Sequence, residues 1–392
     1  MSASQSTDLY WDPYDVGINT NPYPLFRRLR EEAPLYYNER YDFYTLSRAD
    51  DVERAFIDHK RLISSRGMVP AFMKLGVEAP SGMFIMEDPP RHTRHRALLS
   101  RVFTPRRVAA LEPKVRAFCA RCLDPLVGSG GFDFVKDYGN LVAMRVIGMM
   151  LGIPESDQMA VHERVERSIR DQVEAYPTLQ DGMYAEYIDW RVEHPSDDLM
   201  TELLNVEFED ETGTTRRLSR GEVLTFVTLL SGAGNETTAK LIGWTGKVLA
   251  DHPDQRRQLV ENPSLIPDAV EEILRYEPPG FQNSRYAVED VVFDGGTVPA
   301  GSVVVCIMGS ANRDDRRFPD GDRFDIHRKP EGILTFGFGI HFCLGAALAR
   351  LEGRVALEEV LKRFPEWTVD ETRAVLRPTS TTRGYETLPV FV

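Results

Sequence analysis

Cysteine is scarce in this chain: Cys119, Cys122, Cys306 and Cys343 are the four present among 392 residues. So few exclude a disulfide framework and suit a reducing compartment. Long apolar runs are missing too. The longest, such as Val223–Leu230, are too short to cross a bilayer, and the polar stretch Met1–Asp8 lacks a basic flank. No membrane anchor and no signal peptide are therefore expected, and the expected location is cytoplasmic. Positive charge is in deficit, 47 Lys and Arg against 60 Asp and Glu, and the net charge of −13 argues against nucleic acid as a partner. Nor is there a repeat, a low-complexity tract or a Pro/Gly/Ser linker, so the expectation is one domain over 1–392.

What is present reads as helix with a small β portion. Pro22–Arg30 begins a short helix, Leu35–Leu46 reads as a hairpin, and another helix follows at 49–59. Residues 61–90 are punctuated by Gly and Pro and read as irregular, whereas 91–275 are mostly helical, broken at 128–131 and 207–213. Ser302–Met308 is the clearest strand. Ser219 and Glu222 have capping-box spacing, and the pattern then runs without proline from Glu222 to about Asp251, predicting a long central buried helix. Charge is uneven: between Arg91 and Arg121 nine Lys or Arg face a single acid, Glu112. That segment is either a solvated helix face or a docking patch for an acidic protein. Cys119-Ala-Arg-Cys122 sits inside a helical pattern without further metal ligands, which favours buried structural cysteines.

The chemistry concentrates in Phe336-Gly-Phe-Gly-Ile-His-Phe-Cys-Leu-Gly345, which places Cys343 between a glycine-rich loop and a helix over 346–362. A helix N-terminus and free backbone N–H groups stabilise a thiolate, and Gly337, Gly339 and Gly345 leave room for a flat, bulky ligand. A haem whose iron is held by sulfur fits that description. Within the central helix, Gly232-Ala-Gly-Asn-Glu-Thr-Thr238 combines small residues with an acid and a hydroxyl, giving either a groove with a proton relay or a close helix–helix contact.

Together these segments resemble the cytochromes P450, the haem-thiolate monooxygenases of soluble bacterial type. The loop matches the family pattern F-x-x-G-x-H-x-C-x-G at Phe336, Gly339, His341, Cys343 and Gly345, and the helix matches A/G-G-x-D/E-T at Ala233, Gly234, Glu236 and Thr237. Glu272-Ile-Leu-Arg275 matches E-x-x-R, for which Arg323 is the expected third charged member. His92-Thr-Arg-His-Arg96 matches H-x-x-x-R; with Arg285 and His341 it supplies the expected partners of the haem propionates, while His95 falls outside the motif and reads as a surface histidine.

The resemblance implies the P450 fold, a triangular prism with haem between the long central helix and the cysteine-loop helix. It implies haem b (iron protoporphyrin IX) ligated by Cys343 and contacted by Ala233, Phe336, Gly337 and Gly345. Glu236 and Thr237 would steer protons while one oxygen atom of O2 enters a hydrophobic small molecule, by hydroxylation or epoxidation. The chain carries no flavin or nicotinamide motif, so electrons from NAD(P)H would arrive through a separate ferredoxin and ferredoxin reductase. The patch from Arg101 to Arg121, with Arg350 and Arg354, would be the docking face. A peroxide-driven oxygenase and a non-catalytic haem-thiolate sensor are the alternatives, and Glu236-Thr237 speaks against both. A cysteine nucleophile based on His341 lacks an orienting third residue. For the substrate pocket, family analogy points to Phe72, Met83, Phe84, Leu229, Ala233, Phe281 and Gln282, with the helices around Val165–Trp190 and the Thr379–Thr382 turn. A terpenoid- or steroid-sized lipid is the favoured substrate class, ahead of an aromatic or polyketide one.

Overall fold

The computed structural model describes residues 9–76, 79–161, 163 and 184–392, with the side chains of Phe72 and Leu75 outside the described set. Most of the helical stretch expected around Val165–Trp190 also lies outside it; its far end is the helix Ala185–Glu193.

The molecule is mainly α-helical. Its axis is the helix Arg220–Asp251, 32 residues long, or about 48 Å at the usual rise per residue. The capping box forms as the spacing predicts: Ser219 Oγ accepts from the Glu222 N–H and the Glu222 carboxylate accepts from the Ser219 N–H. Glu222 also takes two bonds from Arg216 at 2.8 and 2.9 Å and one from Ser81 Oγ at 2.9 Å, and these donors hold its carboxyl down to about 2 against the effect of burial. Arg216 belongs to a small hairpin, Glu207–Glu209 with Thr215–Arg217, formed where the sequence predicts only a break.

Small residues let neighbours approach this helix in its C-terminal half. A Cβ on Gly243 would stand 2.9 Å from Val135, and one on Gly246 would stand 2.6 Å from the Phe134 ring. The helix Asn140–Leu151 packs along the central helix, and Ala346–Arg363 packs on it, on Ile266–Tyr276 and on Glu112–Leu123. Their apolar faces merge into one large core that includes Cys119, whose thiol burial pushes up to about 12.

The β portion is a five-stranded sheet in the order Leu35–Asn38, Phe43–Leu46, Val303–Cys306, Asn283–Ala287, Leu62–Ile63. The expected hairpin pairs Leu35 with Leu46. Val304 pairs with Arg285, which places that arginine mid-sheet, 3% exposed. Two smaller cores flank the sheet. One gathers Phe56, Leu62, Val304 and Leu334; the other is aromatic, with Trp11, Phe26, Phe43 and Phe281.

Candidate functional site

The cysteine loop takes its shape from two left-handed glycines and a close seat on the end of the helix Ala49–Ile57. Gly337 and Gly339 have φ of 67° and 70°. A Cβ on Gly339 would meet the Phe56 carbonyl oxygen at 2.7 Å, so glycine is required there for space as well as for conformation. The loop closes through the Cys343 N–H donating to the Phe336 carbonyl at 2.8 Å, and Gly345 caps the helix Ala346–Arg363. Phe336 is held from behind by Arg350, whose guanidinium lies 4.5 Å from the ring centre. Cys343 has free surface although protein atoms surround it densely. Burial raises its thiol pKa; the Gly345 N–H, Arg96 and Arg350 act in the opposite direction.

Beside this loop the structure brings together the four cationic or ionisable groups that sequence reasoning assigned to propionates. His92 and His341 lie with ring centres 4.2 Å apart, and His92 is 2% exposed. Neither ring nitrogen of either histidine has a hydrogen-bond partner among the described residues. Burial, with Arg96 nearby, lowers His92 to about 4; burial, with Arg285, His92 and Arg96, lowers His341 to about 2. Arg96 donates to the Phe342 carbonyl. Arg285 lies over the Phe56 ring at 4.9 Å and donates to the Ser284 carbonyl at 2.8 Å. The acid Asp88 acts on both His92 and Arg285, and is itself occupied by the Ser64 and Ser65 N–H groups at 3.0 Å each. Two arginines and two orphaned imidazoles, crowded beside a thiol, are the donor set that two carboxylates would satisfy. The residues present therefore fit the haem that the resemblance implies.

The E-x-x-R pair anchors the loop from below, with one correction to the expectation. Glu272 and Arg275 are both 0% exposed and meet in two parallel bonds of 2.6 and 2.7 Å. Arg275 also donates to the carbonyls of Asn312, Gly321 and Arg323. The third charged member is Arg328, which donates to Glu272 at 3.2 Å, and not Arg323. The Arg323 side chain turns outward to Asp325 at 2.9 Å, and Arg323 joins the cluster through its carbonyl alone. From the same helix the Leu274 carbonyl accepts from Thr335, Thr335 from Asn312, and Asn312 from the Leu334 N–H. That chain of bonds links the buried pair to the start of the cysteine loop.

On the central helix, Gly232 has nothing within 4 Å of where a Cβ would stand, and Gly234 makes only ordinary contact with Ile147. Ala233 has open surface. The small residues here thus leave space, whereas Gly243 and Gly246 fill the close-packing role. Thr237 Oγ1 donates to the Ala233 carbonyl at 2.8 Å. Glu236 is bound by Lys240, one turn on, and accepts from Thr382 Oγ1 at 2.8 Å. Burial would raise the Glu236 pKa, but Lys240 and Thr382 bring it below the usual value. Sequence reasoning missed Lys240, although its i+4 spacing from Glu236 carries the signal.

The pocket candidates divide. Met83, Phe84 and Leu229 are buried in the main core, with Phe84 stacked 6.2 Å from Phe226 of the central helix. Phe281 belongs to the aromatic N-terminal core, stacked on Phe26 at 6.5 Å, so the expected cavity-lining face is packed against protein. Gln282 donates to the Ser380 carbonyl and so ties down the C-terminal turn, while its Oε1 has no partner among the described residues. The Phe72 side chain lies outside the described residues. His95 is not a surface residue: it is 2% exposed, bonded to Glu87 at 2.8 Å, and edge-on to Phe226 at 5.4 Å. Glu87 also accepts from the Gly82 N–H at 3.1 Å, which ties the 82–87 segment to the helix Arg91–Ser100.

Much of the basic segment is neutralised internally. Arg116 bonds Glu112, Glu358 and Glu359, Arg354 bonds Glu112 and Glu358, Arg107 bonds Glu202, and Arg350 bonds Glu271. Arg101, Arg106 and Lys114 are exposed and make no ion pair among the described residues.

Comparison with known proteins agrees along almost the whole chain. The family model for cytochrome P450 matches residues 153–387. A putative cytochrome P450 123 of Mycobacterium tuberculosis is 36% identical over 98% of this chain and 97% of its own. The vitamin D(3) 25-hydroxylase of Pseudonocardia autotrophica is 38% identical over 94% and 93% of the two chains. The solved structure of cytochrome P450 CYP109Q5 from Chondromyces apiculatus, 36% identical, matches with a TM-score of 0.87 over 97% of each chain. A thiol loop of this shape, on this fold, among relatives of this similarity, makes the chain a member of the cytochrome P450 family of haem-dependent monooxygenases.

Proposed function

We propose that this chain inserts one oxygen atom of O2 into a large apolar small molecule, using haem b held by Cys343 and electrons passed from NAD(P)H by a separate reductase and ferredoxin. The observation that carries the reading is the orphaned pair His92 and His341, flanked by Arg96 and Arg285 beside the Cys343 loop. Those groups suit two carboxylates in a buried place, where charge-assisted bonds are strong. When bound, the haem supplies the iron centre at which a sulfur ligand favours O–O cleavage.

The protein's own residues then have distinct tasks. Cys343 presents its sulfur from a loop fixed by Gly337, Gly339 and the Phe336 carbonyl. Thr237 carries a hydroxyl, at present bonded to the Ala233 carbonyl, on the stretch of the central helix that is left open. Glu236 supplies a carboxylate that can take a proton from water and pass it on. Such a relay pair favours an O2-consuming enzyme over the peroxide-driven and sensor alternatives. Arg101, Arg106 and Lys114 are the cations left for an acidic ferredoxin, since their neighbours already hold partners within the chain. Among the described residues no helix is long and apolar enough to cross a membrane.

For the substrate, the apolar environment of Met83, Phe84 and Leu229 favours a lipid-like molecule, and the relative named for vitamin D(3) supports a steroid-sized one. The decisive experiment is Cys343→His. The variant is expected to lose the red-shifted absorption band of the reduced carbon monoxide complex, and retention of that band would assign the ligand elsewhere. Among candidate substrates, the spectral shift caused by displacement of iron-bound water should be largest for terpenoids and sterols. A response confined to small aromatic compounds would overturn that class.

A further inference from the structure

Glu236 does not stand free on the central helix. Lys240, one helical turn further on, binds its Oε1, and Thr382 Oγ1 donates to the same oxygen at 2.8 Å. Lys240 Nζ also reaches Thr382 Oγ1 at 2.5 Å, closing a three-membered cluster. The stem of Lys240 lies flat against the next part of the C-terminal turn: a Cβ on Gly384 would come 2.5 Å from its Cγ, so only glycine admits it. One turn further along the helix, Trp244 Nε1 donates to the Arg383 carbonyl at 2.9 Å.

The turn that receives these contacts is tied equally to the 279–282 segment. The Arg383 N–H donates to the Pro279 carbonyl at 2.8 Å, the Phe281 N–H to the Thr381 carbonyl at 3.1 Å, and Gln282 to the Ser380 carbonyl. Glu236 is thus bonded on one side to its own helix and on the other to a turn that is also tied to the 279–282 segment.

We propose that Lys240 is a positioning residue for Glu236: with Thr382 it clamps the carboxylate against the C-terminal turn, so that proton supply depends on the state of that turn. This rests on the relay role given to Glu236 above. Glu236 and Thr237 are successive residues, so their side chains leave the helix about 100° apart. No bond joins Glu236 to Thr237 among the described residues; the bonds of Glu236 run to Lys240 and Thr382. In each delivery a proton from water adds to a Glu236 oxygen, an equivalent proton leaves toward the Thr237 side, and the carboxylate is regenerated; no electrons move. The clamp fixes where the carboxylate waits between deliveries. The charge facing Glu236 comes from its own helix, at Lys240, and the C-terminal turn adds a neutral hydroxyl. The next cation, Arg383, is turned away to Glu277 and to the Asn19 and Thr20 carbonyls.

The test compares Lys240→Met, Lys240→Arg, Thr382→Val and Glu236→Gln in the full-length, haem-loaded protein. With Lys240 removed, burial acts on Glu236 with the ion pair gone, so its titration moves up. The fraction of reductant converted to product should then fall at a pH about one unit or more higher than in the wild type. Lys240→Arg should restore the wild-type profile, and Thr382→Val should move it in the same direction by less. Independently of turnover, amide hydrogen exchange across 379–383 should rise several-fold in Lys240→Met, with or without haem. A wild-type pH profile in Lys240→Met overturns the proposal, whether or not exchange rises, because the contact would then be structural only. If Glu236→Gln itself stays fully coupled, the relay reading fails and the positioning role fails with it. If Glu236→Gln uncouples while Lys240→Met does not, the positioning role alone is lost.

Discussion

Two clusters of buried ionisable groups in this chain are built in opposite ways. Around Glu272 and Arg275 every strong donor is answered: the carboxylate takes Arg275, Arg328 and the Asp325 N–H, and Arg275 reaches three carbonyls. Around His92 and His341 four ring nitrogens go unanswered among the described residues, and the two flanking arginines make few bonds there. Buried charge is tolerated when it is paired, and a buried polar atom without a partner has a cost. The first cluster is therefore a finished internal joint. The second has open bonding capacity, in keeping with the propionate-binding role proposed for it.

Breaking the joint should have the largest effect. Glu272→Ala leaves Arg275 buried and unpaired, and is expected to destabilise the fold by about 3–5 kcal/mol. Chemical denaturation of the haem-free protein measures this, and a loss below about 1 kcal/mol would mean the pair is not a joint at all. The next effect separates the two arginines. Arg328→Met should cost roughly 1–3 kcal/mol by removing a charged donor from buried Glu272. Arg323→Met, at an outward side chain, should stay within about 0.5 kcal/mol. Equal effects would undo the assignment of Arg328.

The histidine cluster should respond in the reverse sense. His92→Phe with His341→Phe removes unanswered groups, so the haem-free chain should lose little stability while haem retention, read as the haem-to-protein ratio, falls several-fold. Acid provides a second readout. Both imidazoles titrate lower in the fold than their ordinary 6.5, at about 4 and about 2. The unfolded chain thus binds more protons, and the haem-free fold loses stability as pH falls from about 6.5 toward 4 and below. The double variant should flatten that slope; an unchanged slope would show that other groups carry it. The smallest effect carries the same contrast to the surface. Reversing Arg101 and Arg106, unpaired among the described residues, to Glu should slow reduction by ferredoxin at low salt, with substrate affinity unchanged. Reversing Arg107, which Glu202 already occupies, should slow it less.

Much of this was legible before any coordinates. The glycine-flanked thiol of Cys343 and the capping box at Ser219 come from spacing and residue type, whereas the grouping of His92, Arg96, Arg285 and His341 comes from the family resemblance. The misses share a cause. Arg323 and Arg328 lie in an irregular stretch with no period to say which side chain turns inward, and the sequence offered no reason to prefer the second. The partner of His95 is Glu87, which precedes it across Pro89-Pro90, outside the helix whose periodicity could be read. Phe281 is a cavity candidate by family analogy alone, which does not show that its ring fills the aromatic core against Phe26. Lys240 is different. Its i+4 spacing from Glu236 is legible in the sequence, but it lies beyond Thr237, where the family pattern ends.

The close seat of Gly339 on the Phe56 carbonyl has a consequence in time. The sulfur-bearing loop takes its shape against a helix made early in synthesis, and His92, also early, completes the pair with His341. A nascent chain still lacking its last seventh or so holds half of each arrangement and the whole of neither. On the proposed haem site, uptake of the cofactor would follow the meeting of these two distant parts of the chain, and a ribosome-bound fragment ending before Phe336 should emerge colourless.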